Sequence, residues 1–366
     1  MKILITGSDG FIARNLIAEL RGRGHEELLF CNRSTTKEEL EGYIERCDVL
    51  MHLAGVNRPE DEAEYTIGNV GFTEEIVETL MKHHKRIPVV FTSTILNTRH
   101  GLYGESKRKA EAVLQGYAEH SGAPVFIFRL PNVFGKWCRP NYNSFVATFC
   151  YNIAHDLDIR INDSSAQVTL AYIDDVIEEL ISCIDRKVGG YMEITETCQT
   201  TVGEVAERII GFKRGRETIE VPHIEDALGK KLYSTYLSYL EPENFRYKLN
   251  MHQDRRGSFT EFVHLKKLGQ ISVNVAKPGI VKGNHWHHTK VEKFLVVSGT
   301  ALIKLRHIVT DKTAEYTVSG ECPEVVEIPI GYAHSITNIG KGDLVTIIWA
   351  NEVFDSQRPD TYYEEV

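Results

Sequence analysis

The sequence lacks any cysteine pattern of the metal-binding or disulfide kind. Its seven cysteines (31, 47, 138, 150, 183, 198 and 322) include no CxxC or CxC pair. Neither a zinc ribbon nor a disulfide framework is expected, and the thiols read as reduced. A basic excess is also missing. There are 42 Lys and Arg against 51 Asp and Glu, a net charge of −9, which argues against nucleic acid as the main partner. A local basic pocket for an anionic ligand stays compatible with that total. No uninterrupted apolar run approaches the ~20 residues that span a bilayer, so no membrane partner is expected. MKILITG enters a strand and a glycine turn at once, which leaves no room for a secretory signal and makes a cytoplasmic protein the expectation. Internal repeats, low-complexity tracts and a long flexible linker are absent too.

What is present suffices for two cores, because 366 residues are 42% hydrophobic and 25% charged. From 1 to 240, short apolar runs at 2–6, 27–31, 48–54, 88–94 and 124–130 alternate with amphipathic stretches at 11–22, 37–46, 69–83 and 106–121. Such alternation predicts an α/β, doubly wound parallel sheet of the Rossmann type. From Asp254 the texture changes to β-branched runs broken by Gly, Pro and Asn, as in QISVNVAKPG, FLVVSGTALIKL and LVTIIWANEV. That pattern predicts an all-β barrel or jelly roll. The division is expected between 1–243 and 244–366.

Gly7-Ser-Asp-Gly10-Phe11-Ile12-Ala13 follows the first strand and opens the first helix. Glycines there let the backbone turn tightly and approach a pyrophosphate, which a helix N-terminus stabilises. Tyr103 and Lys107 stand four apart and share a helix face, so an ammonium beside the phenol would favour its ionised form. A Tyr so poised can protonate an alkoxide as hydride reaches a carbonyl carbon. Thr94 or Ser93, ending the strand upstream, offers a hydroxyl for that carbonyl. After the second strand stands Cys31-Asn32-Arg33, with no carboxylate for a ribose diol and one guanidinium suited to a 2′-phosphate, which favours NADPH.

Together with His52-Leu53-Ala54-Gly55, Asn69, the segment Arg129–Gly135 and Tyr172-Ile-Asp-Asp175, these residues resemble the extended short-chain dehydrogenase/reductases, specifically their nucleotide-sugar members. The resemblance implies that Gly7, Gly10, Phe11, Ile12, Asn32, Arg33, Leu53, Ala54, Tyr103 and Lys107 bind the cofactor. It implies a Thr94/Tyr103/Lys107 catalytic triad, and places Asn132 and the residues from Lys136 to Asn143, Arg139 among them, on a nucleotide sugar.

In the second half, His285 and His287 are one residue apart on an expected strand and so face the same way. Glu292 and the distant His334 can converge with them. Three imidazoles and a carboxylate suit zinc or another divalent transition metal. The spacing Gly279-x5-His285-x-His287-x4-Glu292-x6-Gly299 matches the first cupin motif position for position, and Pro329-x-Gly331-x2-His334-x3-Asn338 matches the core of the second. The glycine expected five residues before Pro329 is missing; Gly320 lies further back.

Asp254-Arg-Arg256-Gly257, Gln270–Asn274 and Lys282–His285 further resemble the nucleotide-sugar 3,5-epimerases. This implies substrate contacts from Arg256 and Asn274, Lys293 near a ketone oxygen, and proton abstraction at the position of His285. A metal-bound imidazole cannot take a proton through the same nitrogen. If His285 is a ligand, the base lies among His288, Lys277, Lys293 and Tyr332.

With the blocks GNHWHHTK, GKWCRPNYNSF and KLYSTYLSYL, the whole chain resembles bifunctional capsular-polysaccharide synthesis enzymes. Such a resemblance implies C3 epimerisation of a UDP-2-acetamido-2,6-dideoxy-4-hexulose in the cupin domain. NADPH-dependent C4 reduction to a UDP-N-acetyl-6-deoxy-L-talosamine would follow, in a homodimer. The alternatives are a 4-keto reductase whose cupin is only structural, and a non-catalytic sensor.

Overall fold

The computed structural model describes residues 1–95, 101–265 and 268–366. The chain divides into two compact units, Met1–Ile210 with Ile224–Leu240, and Gly211–His223 with Glu241–Val366. A single cut between 243 and 244 was expected; instead Gly211–His223 groups with the later unit. One visible cause is that His264 donates its N–H to the Ile219 carbonyl while Val221 donates to the His264 carbonyl.

The first unit contains β1 (Ile3–Thr6), α1 (Phe11–Gly22), β2 (Leu28–Cys31), α2 (Lys37–Arg46), β3 (Val49–His52), α3 (Ala63–Tyr65), a π-turn over Thr66–Gly71, α4 (Phe72–Lys82) and β4 (Val89–Thr94). It continues through α5 (Leu102–Ser121), β5 (Val125–Leu130), β6 (Asn132–Phe134), α6 (Phe145–Ala154), β7 (Gln167–Tyr172), α7 (Ile173–Ser182), β8 (Gly190–Met192), β9 (Thr197–Thr201), the first half of α8 (Val202–Thr218), whose residues from Gly211 group with the second unit, and α9 (Ala227–Leu237). The main sheet has the order β2-β1-β3-β4-β5-β8 and every pairing in it is parallel. Its central strands are continuous apolar runs because helices cover both faces. Ile3, Ile5, Val49, Met51, Phe126 and Phe128 supply one core, and the alternating Leu4, Leu50, Val89, Phe91, Val125 and Ile127 supply the other. Strand order reverses direction between β1 and β3, and a crevice at the carboxyl ends of such strands is where doubly wound sheets bind ligands.

That switch point is tied together by a buried imidazole. The Ala54 N–H donates to Thr6 Oγ1 (3.2 Å), and Thr6 Oγ1 lies 2.8 Å from His52 Nδ1. His52 Nε2 lies 3.0 Å from Thr73 Oγ1, which donates to the Asn69 carbonyl (2.6 Å). One hydroxyl has one proton, so Thr73 must accept from Nε2–H and Thr6 must donate to Nδ1, which fixes the tautomer. Complete burial pushes the His52 imidazole down to about 3, and Lys107 adds to it.

The second unit holds β10 (Met251–Asp254), β11 (Gly257–Leu265), β12 (Gly269–Ala276), β13 (Val281–Trp286), β14 (Glu292–Ser298), β15 (Thr300–His307), β16 (Thr313–Ser319), β17 (Val325–Ile328), β18 (Tyr332–Asn338), β19 (Leu344–Ala350) and β20 (Tyr362–Tyr363). They form two antiparallel sheets, β10-β11-β12-β19-β14-β17 and β16-β15-β18-β13-β20, as expected for a jelly roll. Ala276, Phe294, Val296, Ile303, Leu305, Val326, Ile336 and Leu344 fill the core from both sheets.

The folded value for His52 lies below the unfolded one, near 6.5, so its neutral form stabilises the fold above that pH. The contribution fades as pH falls from about 6.5 toward 3, by at most about 5 kcal/mol. Thermal unfolding followed down this range should show a falling melting temperature whose slope is reduced in His52→Gln. An unchanged slope in the variant would remove His52 from the acid limb.

Candidate dinucleotide pocket and metal centre

The loop after β1 is built for close backbone approach. Gly7 has φ +66, and a Cβ there would lie 2.8 Å from Ala54 Cα and 2.9 Å from Ala54 N. Gly10 N–H donates to the Gly7 carbonyl (2.8 Å), and no side chain caps α1. The first N–H groups of α1 therefore sit beside Gly7, Gly10, Leu53 and Ala54, with Phe11 and Ile12 packed partly into the core below. A loop of this geometry at a helix N-terminus suits a pyrophosphate. Asn32 forms an Asx turn, accepting from Ser34 N (3.0 Å) and Ser34 Oγ (2.7 Å). That leaves the adjacent Arg33 exposed at the end of β2.

On α5, Lys107 is buried and donates to the Thr92 carbonyl (2.8 Å), its ammonium 4.5 Å from the centre of the Phe91 ring. Burial pushes this ammonium down to about 8. Tyr103 stands one turn earlier on the helix, its ring 5.9 Å from that of Tyr65. Burial, with Tyr65 adding, pushes its phenol up to about 12. The expected lowering by Lys107 is reversed here, because desolvation of the phenolate dominates. The phenol thus stays protonated at neutral pH, the form a proton donor needs. Thr94 is buried at the end of β4. Ser93 donates its single hydroxyl proton to Glu111, which also pairs with Arg129 at 2.7 Å. Asn69, in the π-turn, accepts from Val56 N (2.7 Å) and donates to Val56 O and Ser106 Oγ (both 2.9 Å), tying that turn to α5. π-turns of this kind are frequent at functional sites.

Asn132 is exposed on β6. In the loop after it, Trp137 has φ 68 and is 48% exposed, and Arg139 lies over the Tyr142 ring at 5.0 Å. An exposed indole held in a left-handed backbone is strain of the kind found at ligand sites.

In the second unit, His285, His287, Glu292 and His334 come together with one ligand atom of each within 4.8 Å of all the others. Glu292 Oε2 lies 3.4 Å from His287 Nε2 and 3.3 Å from His334 Nε2. These three atoms are buried, and none is satisfied by a hydrogen bond of good geometry. Local structure explains the convergence. Asn284 forms a bulge with φ 57, so Gly283 pairs with Ser335 and His285 with His334. Gly283 has φ +98 and a Cβ there would lie 2.7 Å from the His334 carbonyl. His287 Nδ1 donates to the Asp360 carbonyl at 2.5 Å, which leaves Nε2 as a lone-pair donor. Burial, then the neighbouring imidazoles, push His285 down to about 4. Although burial opposes it, the His287 and His334 rings facing Glu292 hold its carboxyl well below the usual carboxylate range. A divalent cation requires its imidazole ligands neutral and its carboxylate ligands ionised, and the directions at His285 and Glu292 agree with that.

Other expected residues fall elsewhere. Lys293 follows Glu292 on β14 and therefore faces the opposite side, where it pairs with Glu327. His288 is exposed and packs its ring on Trp286 (4.4 Å) and Tyr362 (4.9 Å), away from the ligand face. Lys277 donates to Asp343 (2.7 Å) in a surface pair. Arg256 folds back onto Asp254 in the β10–β11 turn (2.6 Å). Of the four candidate bases, Tyr332 shares the strand face of His334, two residues away, and packs partly on the core. Asn274 is buried and accepts from Lys282 Nζ (2.7 Å), which the bulge at Asn284 turns to the face of His285. Lys282 was legible only as part of a motif, and Asp360 not at all.

Residues 3–193 match the NAD dependent epimerase/dehydratase family, and residues 252–362 match the polysaccharide biosynthesis C-terminal domain. A UDP-2-acetamido-2,6-beta-L-arabino-hexul-4-ose reductase of Pseudomonas aeruginosa is 45% identical over 99% of this chain and 98% of its own. The crystal structure of the capsular polysaccharide assembling protein CapF from Staphylococcus aureus superposes with a TM-score of 0.93 at 45% identity, covering 100% of both chains. UDP-glucose 4-epimerase of Thermus thermophilus, solved with NAD, shares the fold of the first unit at 16% identity over 65% of this chain and 99% of its own, TM-score 0.52.

Gly7→Ala should weaken dinucleotide binding at least about tenfold, since it combines φ strain with a backbone clash. Titration of nicotinamide fluorescence reads this directly, and wild-type affinity in the variant would show that the loop is not the cradle.

Proposed function

The chain belongs to the NAD dependent epimerase/dehydratase family, and from that premise we propose that it is a bifunctional nucleotide-sugar enzyme of capsule polysaccharide synthesis. The cupin unit epimerises C3 of a UDP-2-acetamido-2,6-dideoxy-4-hexulose. The first unit then reduces C4 with NADPH, giving a UDP-N-acetyl-6-deoxy-L-talosamine. The observation that carries this is the near-complete coverage of the 4-ulose reductase by a chain that also has Tyr103 and the buried Lys107 one turn apart on α5.

A nicotinamide bound in the first unit would supply hydride to the carbonyl carbon. Tyr103 donates its proton to the oxygen as the alkoxide forms, and its high folded value keeps that proton available at neutral pH. Lys107, still largely charged near pH 7, stabilises the phenolate left behind. Thr94 orients the ketone. Arg33, exposed beside an Asn rather than an acid, supports NADPH over NADH.

In the second unit the donor set of His285, His287, Glu292 and His334 suits zinc, which when bound would supply Lewis-acid polarisation of a ketone oxygen. The C3 proton is acidic because its carbanion delocalises into the adjacent carbonyl. With His285 in the ligand set, Tyr332 is the candidate to move that proton.

Elemental analysis of the purified chain should find close to one zinc, lost in His285→Ala; a metal-free native protein would refute the assignment. With the 4-keto UDP sugar in heavy water, NMR should show deuterium at C3 without NADPH and a reduced product with it. Tyr103→Phe should lose at least about a thousandfold in NADPH oxidation while deuterium still enters. Loss of exchange in that variant would sink the two-site scheme. Exchange that survives loss of the metal ligands would make the cupin structural.

A further inference from the structure

Asp360 has φ 39, a left-handed backbone that a residue carrying a Cβ adopts only when its surroundings hold it there. Its carboxylate accepts from the backbone N–H of His288 (3.0 Å), Thr289 (2.9 Å) and Lys290 (2.9 Å), and from Thr289 Oγ1 (3.1 Å). Its carbonyl accepts from His287 Nδ1 (2.5 Å). A single residue therefore satisfies the turn that joins His287 to Glu292 and also sets which imidazole nitrogen is left for a ligand. The neighbouring residues reinforce the grip. The Pro359 carbonyl accepts from the buried Lys290 ammonium (2.8 Å), Tyr362 and Tyr363 pair with Trp286 and His285, and Glu364 N–H donates to the Asn284 carbonyl (2.9 Å). Asn284 is the bulge that brings His285 into the cluster.

We propose that residues 359–364 form a strap that sets the metal affinity of the cupin unit, with Asp360 as its positioning residue. The strap holds both members of the His285/His287 pair, one through its backbone pairing and one through its ring. Without it, the turn and the His287 ring would have to be ordered when the metal binds, and that entropy would be subtracted from affinity. The proposal rests on the metal reading above, and also places Asp360 73 residues from the ring it orients.

Zinc affinity of the full-length chain, measured by competition with a chromophoric chelator, tests it. Asp360→Ala should bind zinc about 10–100-fold more weakly. Asp360→Asn keeps the shape and the main-chain carbonyl but loses carboxylate acceptors, and should fall between. If Asp360→Ala does not fold, the same measurement on Asp360→Asn decides. Melting in excess chelator separates the roles: a purely structural residue lowers the metal-free melting temperature and leaves zinc affinity unchanged, which would overturn the strap. A wild-type chain that takes no zinc would overturn the metal reading itself. Wild-type zinc binding with undiminished affinity in both variants would overturn the strap alone.

Discussion

Three buried atoms without partners, Nε2 of His287, Nε2 of His334 and Oε2 of Glu292, set the terms on which the second unit is built. A polar atom taken out of water and left unpaired costs ~1–3 kcal/mol, and both nitrogens lie within 3.4 Å of the carboxylate oxygen. Such an arrangement persists only where the surrounding structure over-determines it. Here the bulge at Asn284, the close approach of Gly283 to the His334 carbonyl, and the hydrogen bonds of Asp360 do so together. A cation bound there would remove the cost, because every orphaned lone pair would then have one shared acceptor. The remainder of the barrel follows from holding two strands of one sheet and one of the other at that distance.

The first unit shows the same logic with a different ligand in view. Its sheet ends converge on a loop where Gly7 almost touches Ala54, and His52 links that loop to the π-turn carrying Asn69. Asn69 in turn holds Ser106, next to Lys107. Chemistry-bearing groups at the strand ends are thus fixed by buried neighbours rather than by mobile surface contacts. Burial also decides the protonation states. It keeps Tyr103 protonated and eases the hold of Lys107 on its proton.

Much of this was legible in the chain. Alternation of apolar and amphipathic stretches foretold the parallel sheet, and the spacing of His285, His287, Glu292 and His334 foretold a cluster that the fold brings together. What failed did so for identifiable reasons. Lys293 was carried over by resemblance, although the period of two already turns it away from the face of Glu292. His288 lies beyond the end of β13 at Trp286 and is captured by Trp286 and Tyr362. The direction of the shift at Tyr103 depends on how deeply the ring is buried, which spacing along a helix does not encode. Asp360 was invisible because its partners lie some seventy residues away, joined by tertiary structure rather than by any local motif. The π-turn before α4 likewise has no periodic signature in a stretch that reads as helix.

X-ray absorption at the zinc edge of the purified full-length chain examines the cluster most directly. Scattering from about three imidazoles with a nitrogen and oxygen shell at ~2.0–2.2 Å and no sulfur is predicted. A thiolate shell at ~2.3 Å, or a spectrum without bound zinc or another divalent metal, would contradict it.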